Sequence, residues 1–491
     1  MRLGDLLVQA KQVTLEQVTE ALDLQAQLGG RLGDRLVAAG SISQETLDAF
    51  IHRMPAEPAD LAAVKIDSTE LLGLLMKLIY VEHLESIRNF GNAIKLPYNI
   101  VLALVQMAID RQLLQAMGSR DPANPRDVSY ALTETGRRWV LDALEQSRYA
   151  GPAPVTLEEF TAQVNLQKVT NERITYDLIR KALGNLVFEN SIIEQSGPAL
   201  NSGRAILLYG TPGNGKTSVA MCMASVFTDV IYIPYAVDIE GQIMRVFDPS
   251  YHVPLGSAAP SQGDKLSFVR TEEFDARWVP CRRPFVLTGG ELTLEMLDLR
   301  YDPAVNFYEA PLHVKALGGC FVLDDFGRQM VSPTNLLNRW IVPLENRFDY
   351  LKLHTGKTFT IPFEELVIFS TNLEPEDLMD PAFLRRLPYK IEVAGPSLEL
   401  FKRIFEKECS RQGMPPVDKL IDLIVDKITK EKGIELAAYQ PRFIVDQVAS
   451  TCRFMNQAPH FEPRYIDYAI DNLKVKRHLQ TSSTAVTAAK K

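Results

Sequence analysis

Apolar positions along this chain follow three successive rhythms. Near the N-terminus, Val18, Leu22 and Gln25 stand at helical spacing between two copies of one phrase, Arg2-Leu3-Gly4-Asp5-Leu6-Leu7-Val8 and Arg31-Leu32-Gly33-Asp34-Arg35-Leu36-Val37. Such self-similarity marks a duplicated supersecondary unit, each copy a short helix, a turn and a second helix. Longer apolar runs follow and predict helices over 71–80, 84–94 and 98–114, the last opened by Leu96-Pro97, since proline suits a helix start. A polar loop with Pro122 and Pro125 then leads to a strand over 128–133 and a closing helix over 135–146. Residues 156–200 read as a helical lead-in. Beyond them the rhythm changes to short, wholly apolar runs with polar ends: Leu207-Leu208-Tyr209, Cys320-Phe321-Val322-Leu323 and Leu366-Val367-Ile368-Phe369. Runs of this length read as buried strands. The stretch 350–360 reads as two strands around a Thr355-Gly356 turn. Residues 248–287 carry prolines, glycines and aromatics with little periodicity, which predicts a loop-rich or β-rich outgrowth able to line a pore or meet a partner. The tail 478–491 has no apolar pattern and is expected to be disordered.

Composition narrows the class. A chain of 491 residues is too long for one hydrophobic core. With 46% hydrophobic and 23% charged residues it has the make-up of ordinary globular protein. No apolar run is long enough to span a bilayer, and the first residues lack the basic-then-apolar layout of a secretory signal, so a cytoplasmic protein without membrane insertion is expected. Five cysteines lie scattered without CxxC spacing, which argues against a disulfide framework and a structural zinc site. The net charge of −8 gives no global attraction for nucleic acid. Proline-bearing stretches at 53–59 and 151–155 read as linkers. The expected organisation is a small all-α domain over 1–54, a second domain over 62–150, an α/β nucleotide-binding domain over 156–395 and a helical lid over 396–477, ahead of the tail.

The chemistry centres on Gly210-Thr211-Pro212-Gly213-Asn214-Gly215-Lys216-Thr217, a GxxxxGKT loop delivered by an apolar run and leading into the helical pattern from Ser218. Glycines let the backbone wrap phosphates with its N–H groups inward, Lys216 reaches the β- and γ-phosphates of ATP, and the Thr217 hydroxyl can hold Mg²⁺. A glycine-rich turn before a core helix is the alternative, and the preceding strand and following helix weigh against it. Downstream, the run 320–323 ends in Asp324-Asp325, the layout of a Walker B motif. There Asp324 would hold Mg²⁺ and Asp325 would orient and deprotonate the attacking water. A helix-capping aspartate after a strand is the other reading of that pair.

Taken in order, these motifs resemble the AAA+ ATPases over about 159–477. The resemblance implies that Asn372, at the end of the 366–370 strand, is the sensor 1 residue. It further implies that Asp380-Pro381-Ala382-Phe383-Leu384-Arg385-Arg386 delivers an arginine finger to a neighbouring subunit, with Arg386 first choice and Arg385 second. Arg442, in Gln440-Pro441-Arg442-Phe443, would be the sensor 2 arginine of the lid. Many relatives carry glutamate at the position of Asp325; helicase loaders and replication initiators of the group carry paired aspartates. The hairpin before sensor 1 is similar to that of magnesium chelatases and bacterial enhancer-binding activators. An in-trans arginine implies a ring, expected to be a hexamer.

The duplicated phrase resembles the N-terminal domain of type II secretion and type IV pilus assembly ATPases, some of which bind cyclic di-GMP through two such motifs. Arg2, Leu3, Gly4 and Gln25 match that pattern. Lys11 replaces the glycine that the second copy has as Gly40, and Met54 stands where the second glutamine would fall. A small docking domain is the other reading. Residues 62–150 look like a winged helix, whose third helix is nearly all apolar. This favours protein docking over DNA, with Lys95, Arg111, Arg137 and Arg138 the evident phosphate partners. Arg277-Trp278 and Arg282-Arg283 could meet nucleic acid or pack within the fold. The expected function is an ATPase that remodels or assembles a macromolecular partner, in a secretion or pilus setting by the N-domain's likeness. The alternative is a slowly hydrolysing switch associated with DNA or a transcription or replication complex.

Overall fold

The computed structural model describes residues 3–119, 128–184, 186–255, 274–415 and 418–473. They form two compact units, one of Met1–Ala182, Glu194–Tyr209 and Val219–Ile391, the other of Leu183–Ile193, Gly210–Ser218 and Glu392–Lys491.

In the first unit the duplicated phrase folds as α1 (Leu3–Gln9), α2 (Leu15–Leu28), α3 (Leu32–Ala38) and α4 (Gln44–His52). Thr14 opens α2 with a capping box to Gln17, and Ser43 caps α4 through Thr46. The repeated glycines have equivalent packing roles. A Cβ at Gly4 would lie 2.7 Å from Val18 Cγ1, and one at Gly33 would lie 2.8 Å from Leu47 Cδ2. Each glycine therefore admits the second helix of its own copy, while Leu7 and Leu36 are fully buried beneath. Gln25 donates to Gly30 O at 2.9 Å. Arg2 lies outside the described residues.

The two proline-bearing stretches are not free linkers. The Pro55 carbonyl accepts from Asp275 N at 2.9 Å, Ala56 bridges Phe274, and Arg53 pairs with Asp229. Ala153 and Val155 are fully buried, and Arg277 donates to Pro154 O at 3.0 Å. Proline lacks an N–H but keeps a strong acceptor, so a composition typical of linkers also suits a chain held through its carbonyls.

Next come α5 (Ser68–Val81), α6 (Ile87–Ile94), α7 (Tyr98–Asp110), the antiparallel hairpin β1 (Leu114–Ser119) and β2 (Val128–Leu132), and α8 (Glu134–Gln146). Helix α7 ends before the expected position 114 because Gln112 turns left-handed at φ 56, after which Leu114 pairs with Leu132. Thr133 ties this corner together, donating to Gln112 O at 2.7 Å and accepting from Gly136 N at 2.9 Å. A Cβ on Gly136 would sit 2.1 Å from Leu113 O. Gly136→Ala should therefore cost about 1–3 kcal/mol of stability, the usual range for forced overpacking. Denaturant titration checks this, and an unchanged midpoint would mean that α8 is not seated on that turn. Among the described residues no single helix is long and apolar enough to cross a membrane.

The chain continues through β3 (Val155–Thr156), α9 (Leu157–Leu166), α10 (Tyr176–Ala182) and α11 (Asn190–Ser202), then β4 (Ile206–Tyr209) and α12 (Lys216–Ser225). Then follow β5 (Val230–Pro234), β6 (Ala236–Ile239), β7 (Gln242–Arg245), β8 (Trp278–Arg282), β9 (Phe285–Thr288), β10 (Arg300–Asp302), β11 (Phe307–Glu309) and α13 (Leu312–Lys315). The chain goes on with β12 (Cys320–Leu323), α14 (Pro333–Asn346), β13 (Phe348–Lys352), β14 (Thr358–Pro362), β15 (Leu366–Ser370), α15 (Pro375–Leu378), α16 (Pro381–Leu384) and β16 (Tyr389–Glu392).

The central sheet has the order β16-β4-β15-β12-β9, with β4, β15, β12 and β9 parallel. Strands β12 and β15 are buried along their whole length, which is why their sequences are continuously apolar. A second sheet, β10-β11-β7-β6-β3, and the pair β5–β8 fill much of the span between α12 and β12. Of the expected outgrowth over 248–287, residues 256–273 lie outside the described residues; the described remainder is held in the fold, with β8 antiparallel to β5. Arg277 is 1% exposed and clamps Asp275. The Arg283 side chain is buried against Glu172 and the carbonyls of Gln167 and Gly318. These two arginines are structural and face no nucleic acid, because their donors are spent inside the protein. The β13–β14 hairpin likewise docks rather than projects, with His354 stacked on Tyr301 at 4.1 Å and Lys357 paired with Glu240.

The second unit contains α17 (Leu398–Arg411), α18 (Asp418–Asp426), α19 (Gln440–Phe454) and α20 (Pro463–Asp471) around a core that includes Phe401, Phe405, Ile444 and Ile466.

Candidate functional site

Sheet order decides which polar strand ends meet. Strand β15 lies between β4 and β12, with Leu323 opposite Phe369 and Leu208 opposite Ser370. The C-terminal tips of β12 and β15 therefore present their polar residues side by side. Ser370 Oγ donates to Asp324 Oδ1 at 2.7 Å, and the Asp325 amide donates to the same oxygen at 3.1 Å. Asn372 Nδ2 donates to Asp325 Oδ1 at 2.8 Å. Asp325 adopts a left-handed backbone, φ 49, which turns the chain off the strand directly after Asp324. Thus Asp324, Asp325 and Asn372, expected from sequence, form one cluster. Ser370 joins them unforeseen; its only sequence signal was a hydroxyl at the end of an apolar run.

The phosphate-loop residues Gly210–Ser218 belong to the second unit. Gly210, Gly213 and Gly215 take φ values of 129, 85 and 87, which L-residues with a Cβ resist. Lys216 is 6% exposed and donates to Gly210 O and Thr211 O, both at 2.9 Å. Asn214 is 2% exposed, donating to Thr211 Oγ1 at 2.7 Å and accepting from Ala438 N at 3.1 Å. Tyr439 N donates to Gly213 O at 3.0 Å, and its ring lies where a Cβ on Gly213 would stand, 2.4 Å from Cδ1.

Around this loop opens a cavity of 470 Å³, walled by Phe188, Tyr439 and Ile404 and rimmed by Lys407, Arg442 and Asp446. The guanidinium of Arg442 lies 3.5 Å from Asp446, which also accepts from Gln412 at 2.7 Å and Arg411 at 2.5 Å. Burial raises the Asp446 carboxyl, but these hydrogen bonds outweigh it and hold the group below its ordinary value. The cavity pairs flat apolar walls with a polar rim beside a glycine-rich loop, so it has room and surfaces suited to a purine nucleotide. Sequence reasoning reached Arg442; it missed Phe188, Tyr439 and Asp446, which carry no motif of their own.

Arg385 is exposed, and Arg386 Nε donates to Glu345 Oε1 at 2.6 Å. Both follow α16, whose first turn is capped by Asp380 through Phe383 N at 2.8 Å.

As for magnesium, a carboxylate at a strand tip and a hydroxyl after the lysine are hard oxygen donors that suit it. Among the described residues no group of three or more histidine, cysteine or acidic side chains forms a metal cage.

A family model described as a domain of unknown function, DUF8689, matches residues 397–472. No curated protein matches the chain. Among solved structures, NtrX from Brucella abortus in complex with ATP is similar at 12% identity and a TM-score of 0.35, over 62% of this chain and 60% of that one. The Thermotoga maritima RuvB Holliday junction branch migration motor is similar at 13% identity and a TM-score of 0.34, over 60% of this chain and 73% of that one. The chain thus spans less than two thirds of the length of the NtrX chain.

Proposed function

We propose that this protein binds and hydrolyses ATP with Mg²⁺ as an AAA+ ATPase and spends the energy on remodelling or assembling a macromolecular partner. The observation that carries the reading is the carboxylate cluster: Asp324 steadied by Ser370, and Asp325 steadied by Asn372, on adjacent parallel strands of a sheet whose neighbouring strand leads into GxxxxGKT. In this reading Gly210 to Ser218 cradle the phosphates, Lys216 neutralises them, Thr217 and Asp324 hold Mg²⁺, Asp325 takes the proton of the attacking water and Asn372 orients it. Arg442 and the walls around Tyr439 hold the nucleotide. Bound Mg²⁺ would supply charge neutralisation at the phosphates.

Lys216→Ala should weaken ATP binding by roughly 10- to 100-fold or more, since one charge-assisted contact contributes about 1.5–3 kcal/mol. Titration with a fluorescent ATP analogue measures this, and wild-type affinity in the variant would sink the assignment.

An arginine finger acts in trans, so we read the active form as a ring, a hexamer being the simplest. The domain over 62–150 fits protein docking. Tyr98 and Leu102 are 63% and 43% exposed on α7, beside the neutral Asn99 and Gln106, which offers DNA phosphates little. For the N-terminal repeat we also favour docking. Binding of cyclic di-GMP has less support, because Gly4, Gly33 and Gln25 already serve helix packing and turn closure. The secretion or pilus setting rests on the repeated phrase alone.

The alternative, a slowly hydrolysing switch associated with DNA or a transcription or replication complex, draws support from the short arm of Asp325, which reaches less far than glutamate. Steady-state turnover separates the two: partner-stimulated multiple turnover fits the motor, near-stoichiometric hydrolysis the switch.

A further inference from the structure

Away from the nucleotide chemistry, a cavity of 320 Å³ opens between α5 and α8 on one side and the β6–β7 turn on the other. Its charges are distributed unusually. At one end Glu70, in the first turn of α5, faces Asp238 at the end of β6. A Cβ on Gly241 would lie 3.2 Å from Glu70 Oε1, and Gly241 N donates to Asp238 Oδ1 at 3.1 Å, so both carboxylates meet at this one glycine. Among the described residues neither carboxylate forms an ion pair with a lysine or arginine. Burial, then Glu70, pushes Asp238 up to about 6, and burial, then Asp67, raises Glu70.

Two helical turns along α5, a rise of about 10 Å, stands Lys77. It is 6% exposed and donates to Ser147 O at 3.0 Å, one acceptor for a group with three donors. Burial pushes it down to about 8. Trp139, Gln242 and Asn306 complete the wall between the two ends.

Glu70 and Lys77 are held on one rigid helix, so they cannot close on each other. Lys77 is buried and Asp238 half-buried without a countercharge, with Glu70 exposed at the mouth, so the free protein bears a cost that an occupant of opposite polarity would relieve. A guanidinium matches two facing carboxylates through its planar fork of donors, and a carboxylate matches an ammonium with donors to spare. The volume lies within the range of small-molecule sites. We propose that this cavity binds a small dipolar ligand of the basic amino acid class, with its cationic group between Glu70 and Asp238 and its carboxylate at Lys77.

The test uses the full chain, with calorimetry and thermal denaturation in the presence of L-arginine, agmatine, which lacks the carboxylate, and L-citrulline, which lacks the cation. L-Arginine should bind saturably and raise the melting temperature. Agmatine and L-citrulline should each bind at least about tenfold more weakly, the loss of one charge-assisted contact. Glu70→Gln and Asp238→Asn keep shape and remove charge. Each should abolish the L-arginine effect, Glu70→Gln with an unchanged melting temperature of the free protein and Asp238→Asn with a raised one, so loss of binding cannot be mistaken for misfolding. For Asp238→Asn the gain should be present above pH 6 and vanish toward pH 4, because a carboxyl with a raised pKa destabilises the fold only when ionised. No saturable binding of L-arginine up to ~10 mM, or binding retained in both variants, overturns the proposal. Equal affinity for agmatine overturns the dipolar assignment.

Discussion

Replacement of Asp325 by asparagine is expected to leave nucleotide affinity nearly unchanged and to cut ATP turnover by about 10²- to 10⁴-fold, the contribution of a positioned general base. Asparagine has the same shape and can still meet Asn372, which now donates to Asp325 Oδ1 at 2.8 Å, so the left-handed turn after β12 should survive. What disappears is the capacity to accept a proton from water. The assignment separates Asp325 from its neighbour: Asp324 is bound to Ser370 Oγ and to the following amide, as suits a residue that must hold still for a metal ion. Phosphate release under saturating ATP, beside analogue binding, checks the prediction. Undiminished turnover would remove Asp325 from the chemistry and leave the pair as a strand-end cap.

Arg386→Ala should reduce turnover by ~10³-fold or more, the scale of an arginine finger, while leaving nucleotide affinity per subunit nearly intact. The Arg386 guanidinium rests on Glu345 of α14, 2.6 Å away, on a short segment stiffened by the Asp380 cap. An arginine firmly carried on a capped segment is suited to serve a neighbour. Mixing discriminates: Arg386→Ala subunits supply an intact Asp325, and Asp325→Asn subunits supply an intact arginine, so mixed assemblies should recover turnover that neither variant has alone. Failure of rescue would rule out the in-trans role. If instead Arg385→Ala shows the loss, the exposed Arg385 is the finger and Arg386 its anchor.

Several elements were legible from local pattern because they record their own burial. Continuously apolar runs with polar ends became β4, β12 and β15, the Thr355-Gly356 turn sits within the β13–β14 hairpin, and Gln440 opens α19. The glycines, lysine and paired aspartates could be read because backbone conformation and charge are properties of the residue itself. The repeat at the N-terminus was also visible, although its reason, one glycine per copy admitting Val18 or Leu47, needed coordinates.

What only the tertiary structure decided are pairings between residues distant in the chain, which leave no periodic mark. Arg277 meets the Pro154 carbonyl across 123 positions, turning a suspected nucleic-acid contact into a buried clamp and a suspected linker into a wall. Asn214 meets the Ala438 amide across 224 positions and brings Tyr439 over the phosphate loop, a neighbour no motif announces. The second sheet arises from strands of two to four residues, too short to show an alternating pattern above chance. By itself the sequence named the groups we propose for phosphate, metal and water; sheet order decided that Ser370 and Asn372 are the side chains that hold the two aspartates, because β15 is hydrogen-bonded beside β12.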